Sequence, residues 1–306
     1  MIPTVLWIGG YGPEKSAHGA GLDAFRRVVD AETNGEVGVK VTWNIMDDGR
    51  PNTDLFELVG TGEMFMCYFS SSYLGERVPD LNILETPFLF NGLEAAHKAL
   101  DGALGDRLKK AVRSSTEFDA LGFWDNGFRH MTNRLHAVHS PNDLEGMRVR
   151  MQPNLIHEEL IRSWGAVPVA VELSEAIRLI TELAVEAQEN PLANTIAYGV
   201  DKVHRHVTMS GHLYGARGLF AHRPTLEALS PDFRAVVKTA VDAAISTQRE
   251  AAAKLEGKLR EQMERDGIEF VDLTDEERAV FVERSRPAIA IAHRTVSADL
   301  FELVES

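Results

Sequence analysis

The chain has 306 residues, 44% of them apolar, and 46 acidic against 32 basic side chains give it a formal charge of −14. That length exceeds one ordinary domain and the composition is that of a globular protein, so two lobes are expected. The negative balance discourages binding to nucleic acid or anionic lipid, and an anionic ligand must then be drawn by a local arginine cluster.

Residues 4–8 read as a buried strand ending at Gly9-Gly10-Tyr11-Gly12-Pro13. A helix is expected over 16–33, with Leu22, Phe25, Val28 and Val29 on one face. An alternating strand follows through Val37, Val39, Val41, Trp43 and Ile45. A short helix carries Leu55, Leu58 and Val59, and the apolar run 64–69 is a third strand leading into Ser70-Ser71-Ser72-Tyr73. The single cysteine, Cys67, lies inside that run; an internal disulfide is excluded, and with no basic neighbour in sequence it reads as a buried thiol. Strands alternating with helices predict a mostly parallel sheet, whose ligands collect beyond the carboxyl ends of the strands. Tyr11 and the serines 70–72 fall at such ends, although the serines read equally as a solvated turn.

A helix over 93–112 and a strand over 118–124 come next, after which Asp125-Asn126-Gly127-Phe128-Arg129 suits a crossover between lobes. Ser140 caps a helix start with Pro141 at its first position, and Gly146 stops it. In the strand 147–151, Met147, Val149 and Met151 share one face and Arg148 and Arg150 the other. A helix over 155–164, a strand over 167–171, a helix over 174–183 and a strand over 184–187 complete a second α/β lobe. Gln188-Glu189-Asn190-Pro191 then sits at a strand end.

Two extended segments within 203–223 return the chain to the first lobe. Ser230-Pro231-Asp232 opens a helix of roughly 35 residues, about 50 Å at 1.5 Å per residue, long enough to run across both lobes. A strand over 268–271 and the capping box Thr274-Asp275-Glu276-Glu277 lead into a last helix that Pro287 kinks. The lobes are expected to comprise 1–126 with 213–250, and 127–212 with 251–306.

Enzyme signatures fail. His157-Glu158 is followed by Ile161 where a zincin motif needs histidine, and no phosphate-binding loop, dinucleotide fingerprint or nucleophile elbow is present. His204 and His206 lack a neighbouring cysteine or carboxylate and read as surface or helix-end residues rather than metal ligands. No catalytic residue, metal or cofactor is assigned. No apolar run reaches the roughly 18 residues of a membrane span, so direct membrane insertion is not expected. Met1-Ile2-Pro3-Thr4 lacks the pattern of a signal peptide.

Three blocks stand in order: Gly127-Phe128-Arg129-His130-Met131-Thr132-Asn133, then Asp143-Leu144-Glu145-Gly146-Met147-Arg148-Val149-Arg150, then Gln188-Glu189-Asn190-Pro191. Their order and spacing resemble the signature blocks of the DctP-type solute-binding proteins of TRAP transporters, the tripartite ATP-independent periplasmic transporters. The similarity extends to Ser70-Ser71-Ser72-Tyr73, to Thr86-Pro87-Phe88-Leu89-Phe90, to Gly165-Ala166 and to the long helix near Asp232. The resemblance implies an α/β, two-lobed fold like the periplasmic binding proteins, with mixed, mostly parallel sheets and a long helix spanning both lobes.

It also implies roles. Arg150 takes the position of the arginine that clamps the ligand carboxylate, Arg129 that of a second arginine near it or behind it, and Asn190 that of the amide fixing the same group. Leu173 stands where many members carry an aromatic residue against the ligand. Tyr11, Ser71, Trp124, Gln152 and Tyr214 complete the candidate contacts, with core packing an open alternative for Trp124. The family's Gly-Val-Val-Asp-Gly run is here Leu183-Ala184-Val185-Glu186-Ala187, which changes the local turn.

The expected protein is a periplasmic, non-enzymatic monomer that captures a small organic acid in an interdomain cleft, closes by hinge motion and presents itself to membrane-embedded carrier subunits. A missing signal peptide fits its mature form. Two alternatives stay open: an enzyme acting on an organic acid with Glu189 or His212 as general base, and a ligand sensor.

Overall fold

The computed structural model describes residues 5–305. Its strands are β1 (Val5–Gly9), β2 (Gly38–Thr42), β3 (Met66–Ser70), β4 (Phe118–Asn133), β5 (Arg148–Met151), β6 (Val167–Ala170), β7 (Ala187–Asn190), β8 (His206–His222) and β9 (Glu269–Val271). The described residues form two compact units: unit 1 holds residues 5–70, 100–125 and 216–254, and unit 2 holds 71–99, 126–215 and 255–305. Strands β4 and β8 each give one half to each unit. The helix Pro231–Arg265, which has the expected 35 residues, gives its longer N-terminal part to unit 1 and the remainder to unit 2. The α/β, two-lobed organisation with one long helix entering both lobes is as the sequence predicts.

In unit 1 the strand order is β2-β1-β3-β8-β4, with β1 parallel to β2 and β3 and β3 antiparallel to β8. Ser16 caps the helix Ala17–Glu32 by accepting from the Gly19 N–H at 3.0 Å, which satisfies one of the free donors at the helix start. Leu22, Phe25 and Val29 of that helix are buried. Strand β3 is buried along its whole length, and burial pushes the Cys67 thiol up, away from reactivity. The single helix expected over 93–112 is two, Leu93–Asp101 and Ala103–Ser115, because Gly102 takes an extended conformation between them.

In unit 2 the order is β8-β4-β7-β5-β6 with β9 beside β8; β5 is parallel to β6 and β7, and β4 is antiparallel to β7. One sheet face is covered by the helices Leu155–Ser163, Asp275–Arg284 and Arg286–Thr295. Met131, Val149, Met151, Trp164, Phe281 and Ala288 make the core there. Thr274 and Glu277 form the expected capping box, and Pro287 lies in the first turn of a separate helix rather than at a kink.

Three expectations give way in this unit. Gln188, Glu189 and Asn190 are β7 itself instead of following a strand over 184–187, because Leu183 adopts a left-handed φ of 58° and turns the chain just before it. The crossover at 125–129 and the two segments within 203–223 are continuous strands, 16 and 17 residues long, since Gly127 (φ 97°) and Gly211 (φ 52°) bend them without ending the ladder. The stretch 71–99, read into the first lobe, belongs to unit 2. There Ser72 Oγ donates to Gln152 Oε1 at 3.1 Å and Asn154 Nδ2 to Asn82 Oδ1 at 2.9 Å.

Candidate functional site

The register of unit 2 sorts the candidate residues onto two faces. Arg150 pairs with Gln188, and Met131 with Glu189. Because successive side chains alternate, Arg150, Gln188 and Asn190 lie on one face of the sheet and Arg129 and Glu189 on the other. The two arginines therefore do not converge.

Arg150 is 1% exposed, and its one hydrogen bond runs from Nη2 to the Val171 carbonyl at 3.0 Å. Among the described residues no carboxylate lies within ion-pair distance of it, and its Nε has no acceptor. A buried donor left bare costs about 1–3 kcal/mol, more when it carries charge. Asn190 is also buried, and its Oδ1 accepts from Asn194 Nδ2 at 3.0 Å. That fixes the amide and leaves its Nδ2 without a protein acceptor among the described residues. Gln152 follows β5 directly, and Leu173 opens the helix Leu173–Thr181, whose first N–H groups are capped by the Glu172 carboxylate at 2.7 and 2.8 Å.

On the opposite face Arg129 is fully engaged. Its Nε and Nη2 hold the Glu189 carboxylate, and Nη2 also donates to the Glu189 carbonyl at 2.8 Å. Burial works to raise the Glu189 carboxyl. The Arg129 charge and the hydrogen bonds it donates, with the His212 ring nitrogen 3.7 Å away, overcome it and hold the group well below the usual carboxylate range. The His212 ring is pushed down chiefly by burial; its Nδ1 pairs with Ser210 Oγ at 2.8 Å and its ring meets Trp164 edge-on. His157 Nε2 lies 2.8 Å from Glu85 Oε2, and Ser71 Oγ donates to the other oxygen of Glu85 at 3.1 Å. Arg129 and Ser71 thus sit in a buried charged network under the helix Leu155–Ser163. Tyr214 packs between Phe90 and Phe128, with centroids 5.6 and 5.7 Å away.

Tyr11 and Trp124 belong to unit 1. The Tyr11 hydroxyl accepts from the Ser70 N–H at 3.2 Å, its ring lies tilted against Tyr68 and Phe69, and the Arg217 guanidinium lies over it at 4.6 Å. Trp124 is fully buried against Tyr68 and His18, and only a glycine at 21 leaves room for its indole. Its Nε1 has no acceptor among the described residues.

Sequence reasoning passed over Gln188, His157 and Glu85. Gln188 stood in the signature block, yet only the register with Arg150 gives it a place. His204 is buried rather than at the surface, its Nδ1 bonded to the Thr132 hydroxyl at 2.8 Å. Among the described residues no three His, Cys, Asp or Glu side chains are placed to hold a metal ion.

Comparison with known proteins extends the picture. The family model DctP, described as bacterial extracellular solute-binding protein, family 7, matches residues 8–295. A solute-binding protein of Verminephrobacter eiseniae is 34% identical over 207 residues, 66% of this chain and 59% of that protein. The C4-dicarboxylate-binding periplasmic protein DctP of Rhodobacter capsulatus is 28% identical over 277 residues, 88% of this chain and 80% of that protein. Among solved structures, a TRAP periplasmic solute-binding protein from Polaromonas bound to D-erythronate superposes with a TM-score of 0.92 at 26% identity, covering 99% of each chain. With a family match running almost end to end and a fold shared over the whole chain, this protein belongs to the DctP family of TRAP-transporter solute-binding proteins.

Proposed function

We propose that this protein captures a small organic acid through its carboxylate, with Arg150 as the charge partner and Asn190 as the orienting amide, and carries it in the periplasm to the membrane subunits of a TRAP transporter. One observation supports this most: a guanidinium sealed from solvent, tied by a single hydrogen bond to a carbonyl, with no anion of its own. A planar cation in that state matches a carboxylate, which can accept two parallel hydrogen bonds from it. The ligands named for its relatives, a C4-dicarboxylate and D-erythronate, share that group. Arg129, held by Glu189, acts in this reading as a positioning residue on the far side of the sheet. No helix among the described residues is long and apolar enough to cross a membrane, which suits a protein that delivers its ligand to separate membrane subunits.

Calorimetric titration with succinate and D-erythronate, each beside its amide, tests the reading. Binding of the acids and not of the amides is expected, with a loss of about 30-fold or more in Arg150→Met, since truncating one partner of a buried charge pair costs about 2–5 kcal/mol. Equal binding of acid and amide, or an Arg150→Met variant that binds the acids like the wild type, overturns it.

A further inference from the structure

Two hydrogen-bond donors on one face of the unit 2 sheet, carried by register partners, lack acceptors. Gln188 of β7 is the register partner of Arg150 in β5, so their side chains leave the same face of neighbouring strands, about 4.8 Å apart. Each is 1% exposed, and among the described residues neither Gln188 Nε2 nor Arg150 Nε finds an acceptor. Two polar side chains nearby on the same face are engaged elsewhere. Thr132, the register partner of Gln188 on its other side, pairs its hydroxyl with His204, and Asn190 Oδ1 accepts from Asn194. Buried polar groups in folded proteins are almost always satisfied, so adjacent bare donors point to an acceptor that the chain does not supply.

We infer that Gln188 is a further ligand-binding residue, its Nε2 amide donating to the same carboxylate that Arg150 neutralises. This rests on the reading of Arg150 as the carboxylate anchor. An ionised carboxylate is acceptor-only, with two oxygens and about four lone-pair directions, and so satisfies both donors at once. A carboxamide turns its own N–H group toward one of them. The pair therefore selects the deprotonated acid by hydrogen-bond polarity as well as by charge. A hydroxyl group, which must also place a proton, satisfies the pair less well.

Gln188→Met and Gln188→Glu, each made with arginine and with methionine at position 150, decide the matter. Gln188→Met removes the donors at similar volume; it is expected to fold and to bind succinate and D-erythronate about tenfold more weakly in calorimetric titration. Gln188→Glu sets an internal carboxylate beside Arg150. Its melting temperature without ligand is expected to stay well above that of the Arg150→Met double variant, and its affinity for both acids to vanish. The inference is overturned if Gln188→Met binds the acids as the wild type does, the result expected when only water fills the space. It is equally overturned if Gln188→Glu loses the same stability whichever residue stands at 150. Should the wild type bind neither acid, the carboxylate reading falls by itself, and the ligand-free coupling between positions 188 and 150 still decides whether the two side chains share one space.

Discussion

Arg129 and Arg150 are both buried arginines on neighbouring stretches of one sheet, and they differ in what the chain gives them. Arg129 has Glu189, so its desolvation is offset by an ion pair inside the fold. Arg150 has only the Val171 carbonyl, so the fold supplies no ion pair against its desolvation, and the carboxylate of the proposed ligand is what would offset it. A third arrangement shows the exposed limit: Glu186 is gripped by Arg148 at 2.6 Å and Arg134 at 3.0 Å and accepts the Arg148 N–H at 2.9 Å. These bonds, the Arg148 side chain first, bring the Glu186 carboxyl down to about 2. A folded-state value depressed below the ordinary 4.5 means that the grip contributes fully above pH 4.5 and is lost as pH falls from 4.5 through about 2. Because Arg148 is half exposed, solvent screening leaves only part of this contribution. Acid unfolding of Glu186→Gln beside the wild type checks this: the two stability curves should converge as pH drops through that window, and curves that stay parallel count against it.

Among the elements, the turn into β7 sets the register of the proposed site. Leu183 holds a left-handed φ of 58°, and it is 51% exposed, so little burial compensates for the backbone. That conformation costs a residue with a Cβ about 1–2 kcal/mol, and glycine gives back part of the gain through its freer unfolded chain. Leu183→Gly is therefore expected to raise stability by about 0.5–1 kcal/mol in urea unfolding. Leu183→Ala, which keeps the Cβ, is expected to gain nothing; equal gains from both substitutions would assign the effect to the lost leucine surface.

The same turn explains how far the site was legible. Alternation within 147–151 is a local signal, and it places Arg150 opposite Met147, Val149 and Met151. The partnership of Arg129 with Glu189 spans 60 residues and depends on which strands pair, and no local pattern carries that. The start of β7 was misplaced because 184–187 is as apolar as a strand, while Gln188, Glu189 and Asn190 are polar residues that a strand buries only where both faces are covered. Continuous β4 and β8 were missed for a related reason. Glycine is a usual sign of a loop, and here Gly127 and Gly211 bend strands whose flanks keep their ladder.

For the molecule as a whole, the sign of its charge opposes the proposed ligand. A net charge of −14 repels an anion at long range, while the attraction at Arg150 acts at contact range and behind a surface that excludes solvent. The two effects respond differently to salt. Repulsion between a free anion and the distributed surface charge is screened once the Debye length falls from about 30 Å at 0.01 M to about 8 Å at 0.15 M, whereas a buried contact is screened far less. Association of succinate or D-erythronate in stopped-flow fluorescence is therefore expected to speed up by a few-fold between these ionic strengths, with dissociation nearly unchanged. An association rate that falls with added salt would mean that a local positive field, and not the net charge, governs the approach. Arg150 would then be steering the ligand from solvent as well as holding it, which a side chain 1% exposed should be unable to do.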